Sequence, residues 1–265
     1  MVERVLLDIE DRVATVRLDN PPLNVFDTGT REALASTVSR LAVAEGVHAV
    51  VVTGSERAFA AGADVTDLAA MGFEEIWGWN RALQRTFTEV AALPMPVIAA
   101  VEGYALGGGL ELALCADHRI AGDRAVLAQP EVLLGILPGS GGTQRLARLV
   151  GHSRAKELLM TGRRVRTDEA AAIGLVDRVV PAGTALQEAR RFSRELAAGP
   201  QFALQAIKLA VDKGSDGPLE VGLALERSLI AGLFATRDRE GGMQSFLEEG
   251  PGKARFGRPP PAASR

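Results

Sequence analysis

The feature that most constrains this chain lies between Val97 and Gly142. An apolar run, Val97-Ile98-Ala99-Ala100-Val101, opens into Glu102-Gly103-Tyr104-Ala105-Leu106-Gly107-Gly108-Gly109. Leu110-Glu111-Leu112-Ala113-Leu114-Cys115 follows, with helix-forming composition. Apolar run, glycine cluster and helix start, in that order, predict a strand-to-helix turn whose backbone can approach a ligand closely. The glycines leave peptide N–H groups uncovered, and the helix start adds a partial positive charge. Glu111 falls in the first turn of that helix. A second acid, Glu131, sits in Gln129-Pro130-Glu131, ahead of a second glycine block, Pro138-Gly139-Ser140-Gly141-Gly142-Thr143. Two carboxylates, each beside a cluster of backbone donors, suit a site that polarises a carbonyl and handles a proton.

Composition narrows the alternatives. With 265 residues, the chain can form one large domain or two small ones. A net charge of −3 gives no general pull toward nucleic acid or an anionic membrane, so any phosphate-bearing ligand must meet a local basic patch. One cysteine, Cys115, excludes an intrachain disulfide and fits a reducing cytoplasm. No apolar run approaches the ~20 residues of a membrane span. Acids at Glu3 and Asp8 make the N-terminus read as a strand rather than a targeting leader.

Taken in order, residues 5–10 and 13–18 read as a hairpin, and Asp27 or Thr28 caps a helix carrying Leu34, Val38 and Leu41. Residues 47–53 form a buried strand, and residues 67–92 read as one helix with Gly72 and Gly78 as weak points. Pro94 and Pro96 stop it before the strand at Val97. Short strands are expected at 118–121, 125–128 and 176–180. Helices are expected at 143–150, 153–161, 167–173, 185–198, 201–211, 219–234 and 238–248. The order strand, strand, helix implies stacked α/β units, although no strict repeat is visible. Residues 1–200 would hold the core and site, 201–256 a helical region, and 257–265 a tail of low order.

The sequence Gly103-Tyr104-Ala105-Leu106-Gly107-Gly108-Gly109-Leu110-Glu111-Leu112-Ala113 resembles the signature of the enoyl-CoA hydratase/isomerase (crotonase) family. Gln129-Pro130-Glu131, Leu134-Gly135-Ile136-Leu137-Pro138-Gly139 and Gly141-Gly142-Thr143-Gln144-Arg145-Leu146 extend the likeness, as does Ala58-Phe59-Ala60-Ala61-Gly62-Ala63-Asp64 upstream. It runs from about Val5 to about Phe256; three ordered blocks at fixed glutamate spacing are specific where a lone glycine cluster is not. The resemblance implies a spiral of ββα units followed by a helical C-terminal region, packed as a homotrimer or homohexamer. It further implies an enoyl-CoA hydratase, with Glu111 and Glu131 catalytic and Ala61, Ala63, Asp64, Gly108 and Gly139 in contact with an acyl-CoA substrate. The N–H groups of Ala63 and Gly108 would form the oxyanion hole. No metal or separate cofactor is implied, since coenzyme A enters as part of the substrate.

Competing readings remain. Either acid alone also reads as a helix-start carboxylate, stabilised by ~0.3–1 kcal/mol. A Δ3,Δ2-enoyl-CoA isomerase needs one base, and a non-catalytic acyl-CoA- or RNA-binding relative needs none; retention of both glutamates favours hydration. His48, His118 and His152 show no metal-ligand spacing, and no nucleophile elbow or phosphate loop occurs. Trp77 and Trp79, with Met71 and Phe73, offer an acyl-chain pocket, although most apolar stripes at this spacing are core or oligomer contacts. The C-terminal segment offers Lys253 and Arg255, and upstream Arg57, as candidates for the nucleotide phosphates or as ordinary solvated side chains.

Overall fold

A computed structural model describes residues 3–256. Strands β1 (Val5–Glu10) and β2 (Val13–Leu18) pair antiparallel across Asp11 and Arg12, both at positive φ as a tight hairpin turn requires. Helix α1 (Thr28–Ala42) begins where the Asp27 side chain accepts from the Thr30 N–H at 2.7 Å.

Three strand–strand units then follow. The first is β3 (Ala49–Thr53), β4 (Ala58–Ala60), α2 (Val65–Ala70) and α3 (Phe73–Ala91). The second is β5 (Val97–Val101), β6 (Tyr104–Leu106) and α4 (Gly108–Ala113). The third is β7 (His118–Gly122), β8 (Val126–Ala128) and a 3₁₀ turn (Pro130–Leu134). In each, the first strand joins one sheet and the second joins another, so successive units stack into a spiral.

Helices α5 (Gly142–Val150) and α6 (His152–Thr161) follow, then β9 (Val165–Arg166), α7 (Thr167–Ala172), β10 (Arg178–Val180) and α8 (Ala185–Ala197). The large sheet runs β1-β2-β3-β5-β7-β10 and the small one β4-β6-β8-β9. Parallel pairing sets Val50 against Val97 and Ile98 against His118.

The unbroken apolar runs of β3 and β5 have a physical reason, because the large sheet is covered on both faces. Val50, Val52, Val97, Ala99 and Val101 face the main core, with Phe59, Leu83 and Phe87. The alternate residues Val51, Ile98 and Ala100 face the other way, onto Ala185, Ala189 and Ala197 of α8. Small side chains on α8 let it lie close to the sheet.

The remaining helices are α9 (Gln201–Gly214), α10 (Leu219–Leu233) and α11 (Arg237–Glu249), none of which has a fully buried residue. Helices α9 and α10 pack on each other, and Lys208 ties α9 to the spiral by donating to Asp117 at 2.8 Å. No described helix is long and apolar enough to cross a membrane.

The expectations of sequence need three corrections. The helix expected over 67–92 is two helices, because Met71 and Gly72 are extended and Glu75 caps the Gly72 N–H at 2.7 Å. The strand expected over 176–180 spans only Arg178–Val180. The small sheet was not foreseen, since β4, β6 and β9 are too short to show a period of two. Pro130 does open a helical turn that carries Glu131 near its start, and that turn is 3₁₀. The expected tail, 257–265, lies outside the described residues.

Candidate active site

The glycine cluster is folded against the 58–64 block by sterics that only glycine meets. A Cβ on Gly109 would lie 2.0 Å from the Ala60 carbonyl oxygen, so α4 starts directly on the end of β4. Gly62 has φ +89° and packs beside Gly108, whose nitrogen lies 3.3 Å from where a Gly62 Cβ would be. The loop before α1 fixes the block from its other side. Ala61 N–H donates to Leu23 at 3.0 Å, and the Asn24 side chain donates to the Ala58 carbonyl at 2.9 Å.

Two peptide groups consequently point outward together. Phe26 N–H donates to the Gly62 carbonyl at 2.8 Å; the Gly62–Ala63 peptide is planar and trans, so the Ala63 N–H faces the opposite way. Likewise the Gly107 carbonyl accepts from Glu111 N–H at 2.9 Å, within α4, so the Gly108 N–H leaves the helix at its N-terminal end. Phe26 backs both groups: its ring would meet a Cβ on Gly108 at 3.4 Å, and it stacks edge-on against Phe87 at 5.3 Å.

Glu111 is 3% exposed. One of its oxygens, Oε1, accepts from the Ser140 N–H at 2.7 Å and the Gly142 N–H at 2.8 Å. Burial raises its pKa, opposed by those two donors and by the Arg145 charge. Glu131 faces the same glycines, since its Oε1 is 3.0 Å from where a Gly107 Cβ would stand. Burial, with the Glu111 charge adding to it, pushes its pKa up to about 7. The hydrogen-bond pattern assigns Gln129 with its amide nitrogen toward Glu131, 3.0 and 3.2 Å from the two carboxylate oxygens.

The structure thus brings Glu111, Glu131, Gly108 and Ala63 to one place, at the joint of α4, the 3₁₀ turn and the 58–64 block. Gly139 opens the segment that holds Glu111, and its carbonyl accepts from Asn80 at 2.9 Å. Asp64 is engaged as the cap of α2, its carboxylate accepting from the Thr66 N–H at 2.8 Å. Sequence reasoning passed over Ser140 and Gly142 as holders of Glu111, and Asn80, Gln84 and Gln129 as polar side chains around the pair. Backbone donors and lone amides carry no spacing signal. Trp79 packs partly on the core, whereas Phe73 and Trp77 stack on each other and stay 78% and 66% exposed. Cys115 is buried, its thiol pushed up to about 12 by burial, and it donates to the Glu111 carbonyl. Arg57, Lys253 and Arg255 are exposed.

Known proteins match this architecture along nearly its whole length. The family model described as enoyl-CoA hydratase/isomerase matches residues 8–257. A protein of Mycobacterium tuberculosis named probable enoyl-CoA hydratase echA8 is 40% identical over 248 residues, covering 93% of this chain and 96% of that one. Crotonyl-CoA hydratase of Syntrophomonas wolfei is 37% identical over 249 residues, covering 93% and 96%. The crystal structure of an enoyl-CoA hydratase from Bacillus anthracis superposes with a TM-score of 0.89 at 37% identity, covering 92% of this chain and 96% of that one. The spiral with its helical C-terminal region is therefore the crotonase fold, and the chain belongs to the enoyl-CoA hydratase/isomerase family.

Proposed function

We propose that this enzyme adds water across the double bond of a 2-trans-enoyl-CoA, giving a 3-hydroxyacyl-CoA in fatty-acid or related acyl-CoA metabolism. The observation that carries the reading is the pair Glu111 and Glu131 beside the outward N–H groups of Ala63 and Gly108. The thioester oxygen sits between those two donors, which stabilise the negative charge that develops as the β-carbon is attacked. Glu111 and Glu131 hold the attacking water between them. Glu111, with two N–H donors and Arg145 favouring its charged form, accepts a proton from the water. Glu131, with its pKa near neutrality, keeps a proton to give to the α-carbon. A proton returning from Glu111 to Glu131 resets the pair, whose titration belongs to both groups. Ala61, Asp64 and Gly139 border the same substrate, and coenzyme A is the only cofactor, carried by the substrate itself.

The assay is loss of the conjugated-thioester absorbance of crotonyl-CoA. Turnover of ~1–10³ s⁻¹ is expected. A folded protein that binds crotonyl-CoA and leaves its absorbance unchanged would overturn the reading, and conversion of a 3-enoyl-CoA alone would replace it with isomerisation.

We further propose a division into a catalytic spiral, residues 1–200, and a helical assembly region, residues 201–256. Support comes from Leu219, Val221, Leu223 and Ile230 of α10 and Phe202 and Ile207 of α9, large apolar side chains that are all exposed, as surfaces awaiting a partner are. A trimer or hexamer in the reducing cytoplasm fits both this face and the single cysteine. Light scattering at micromolar concentration is expected to give three or six subunits; a clean monomer contradicts it.

A further inference from the structure

The carbonyl of Gly139 and the N–H of Ser140 belong to one planar peptide and point in opposite directions. On one side, Asn80 Nδ2 donates to that carbonyl at 2.9 Å and Gln84 Nε2 at 3.3 Å. On the other, the Ser140 N–H donates to Glu111 Oε1 at 2.7 Å. Helix α3 therefore reaches the buried carboxylate through a single peptide group.

The surrounding geometry is consistent with a built connection. Asn80, Gln84 and Thr88 recur at four-residue spacing and share one face of α3. Thr88 Oγ1 accepts from Arg145 Nη2 at 3.4 Å, and Arg145 Nη1 donates to the Ser140 carbonyl at 3.3 Å. The same helix face thus touches both the peptide that holds Glu111 and the cation whose charge acts on it. Gly139 leaves room for this approach, because a Cβ there would stand 2.5 Å from Asn80 Oδ1. Donors on a carbonyl polarise its peptide and make the N–H at the other end a stronger donor.

We propose that Asn80, with Gln84 beside it, is a positioning residue for Glu111, holding the Gly139–Ser140 peptide so that its N–H is aimed at the carboxylate and strengthened toward it. This rests on the reading of Glu111 as an acid–base group. The other groups facing Glu111 are the Gly142 N–H and the Ser140 hydroxyl, which favour the carboxylate, Arg145 from α5, whose charge also favours it, Glu131 from the 3₁₀ turn, whose charge opposes it, and the neutral Cys115 thiol. None of these is removed by changing Asn80.

The test compares Asn80→Ala, the size-matched Asn80→Asp, and Gln84→Ala at an exposed position. In Asn80→Ala, kcat for crotonyl-CoA hydration should fall about 5–20-fold with KM within about twofold, and the acid limb of kcat/KM should move up by about 0.5–1 pH unit. Asn80→Asp, which sets an acceptor against the carbonyl, should move the limb further, and Gln84→Ala should move it the same way by less. Difference infrared spectra against Glu111→Gln assign the Glu111 carboxylate band, which should titrate at higher pH in Asn80→Ala. That readout needs no turnover, so it decides the positioning claim even if the wild-type protein fails to hydrate crotonyl-CoA. An unmoved Glu111 titration and an unmoved acid limb in folded Asn80→Ala would overturn the proposal. So would a fall in kcat accompanied only by lost thermal stability. If Asn80→Ala does not fold, Gln84→Ala and Asn80→Asp decide the matter on the same two readouts.

Discussion

The first turn of α4 encloses Glu111, leaving it 3% exposed with one oxygen gripped by two peptide N–H groups, while the 3₁₀ turn holds Glu131 half-buried beside exposed Val132, Leu133 and Leu134. Burial raises both pKa values, but at Glu111 the two peptide donors and the Arg145 charge oppose it, whereas Glu131 has only its own N–H and the neutral Gln129 amide and feels the Glu111 charge besides. Two residues of one chemical type are thereby given different work. The more deeply buried carboxyl is the one equipped to carry charge, because what surrounds a carboxylate matters as much as how far it lies from water. The partly exposed one keeps a proton near neutral pH.

The largest effect should come from removing either carboxylate. Glu111→Gln and Glu131→Gln should each lower kcat for hydration by at least ~10²-fold with little change in substrate binding, as steady-state kinetics on crotonyl-CoA would read. Near-native turnover in either variant would erase the contrast between them. Next comes the oxyanion donor. Replacing the Gly108 amide by an ester through semisynthesis should cost ~10²–10³-fold in kcat while thermal stability changes little. Unchanged turnover in that folded variant would mean that the thioester oxygen is held elsewhere.

A smaller effect sharpens the comparison through stability. Glu131 has a folded pKa of about 7, above the ordinary carboxylate value of 4.5. Between those two pH values the unfolded chain releases a proton that the folded one keeps, so stability falls as pH rises through the window and levels off above it. Glu131→Gln should therefore match wild type near pH 4 and exceed it by about 1–2 kcal/mol at pH 8, the upper range being discounted for partial exposure. Denaturant melts at the two pH values measure this. A variant no more stable at pH 8 than wild type would show that Glu131 is not held protonated by its surroundings.

Much of this arrangement was legible in the residues. The runs at β3 and β5, the hairpin at Asp11-Arg12 and the helix start at Gly108 follow from composition and local chemistry. The pairing of Glu111 with Glu131 followed from a family likeness rather than from periodicity. The small sheet escaped because Ala58–Ala60 and Tyr104–Leu106 are held by their neighbours and show no pattern of their own. The break at Met71-Gly72 escaped for another reason: Gly72 was visible as a weak point, but its capping by Glu75 competes with helix continuation only once the chain is folded. The support of Glu111 was least legible. It depends on peptide groups at Ser140 and Gly142 and on an amide, Asn80, far from them in sequence, and backbone donors look alike in any sequence.

The central claim is that Glu111 and Glu131 act together on one water, and a double-mutant cycle on kcat tests it most directly. Each Glu→Gln change and the pair should be measured with crotonyl-CoA under identical conditions. If the two hold one water, the Glu111→Gln/Glu131→Gln enzyme should be only about as slow as the slower single variant, within ~10-fold, because the first change already dismantles the unit. Fully multiplicative losses would show that the two carboxylates act independently, and would contradict the account.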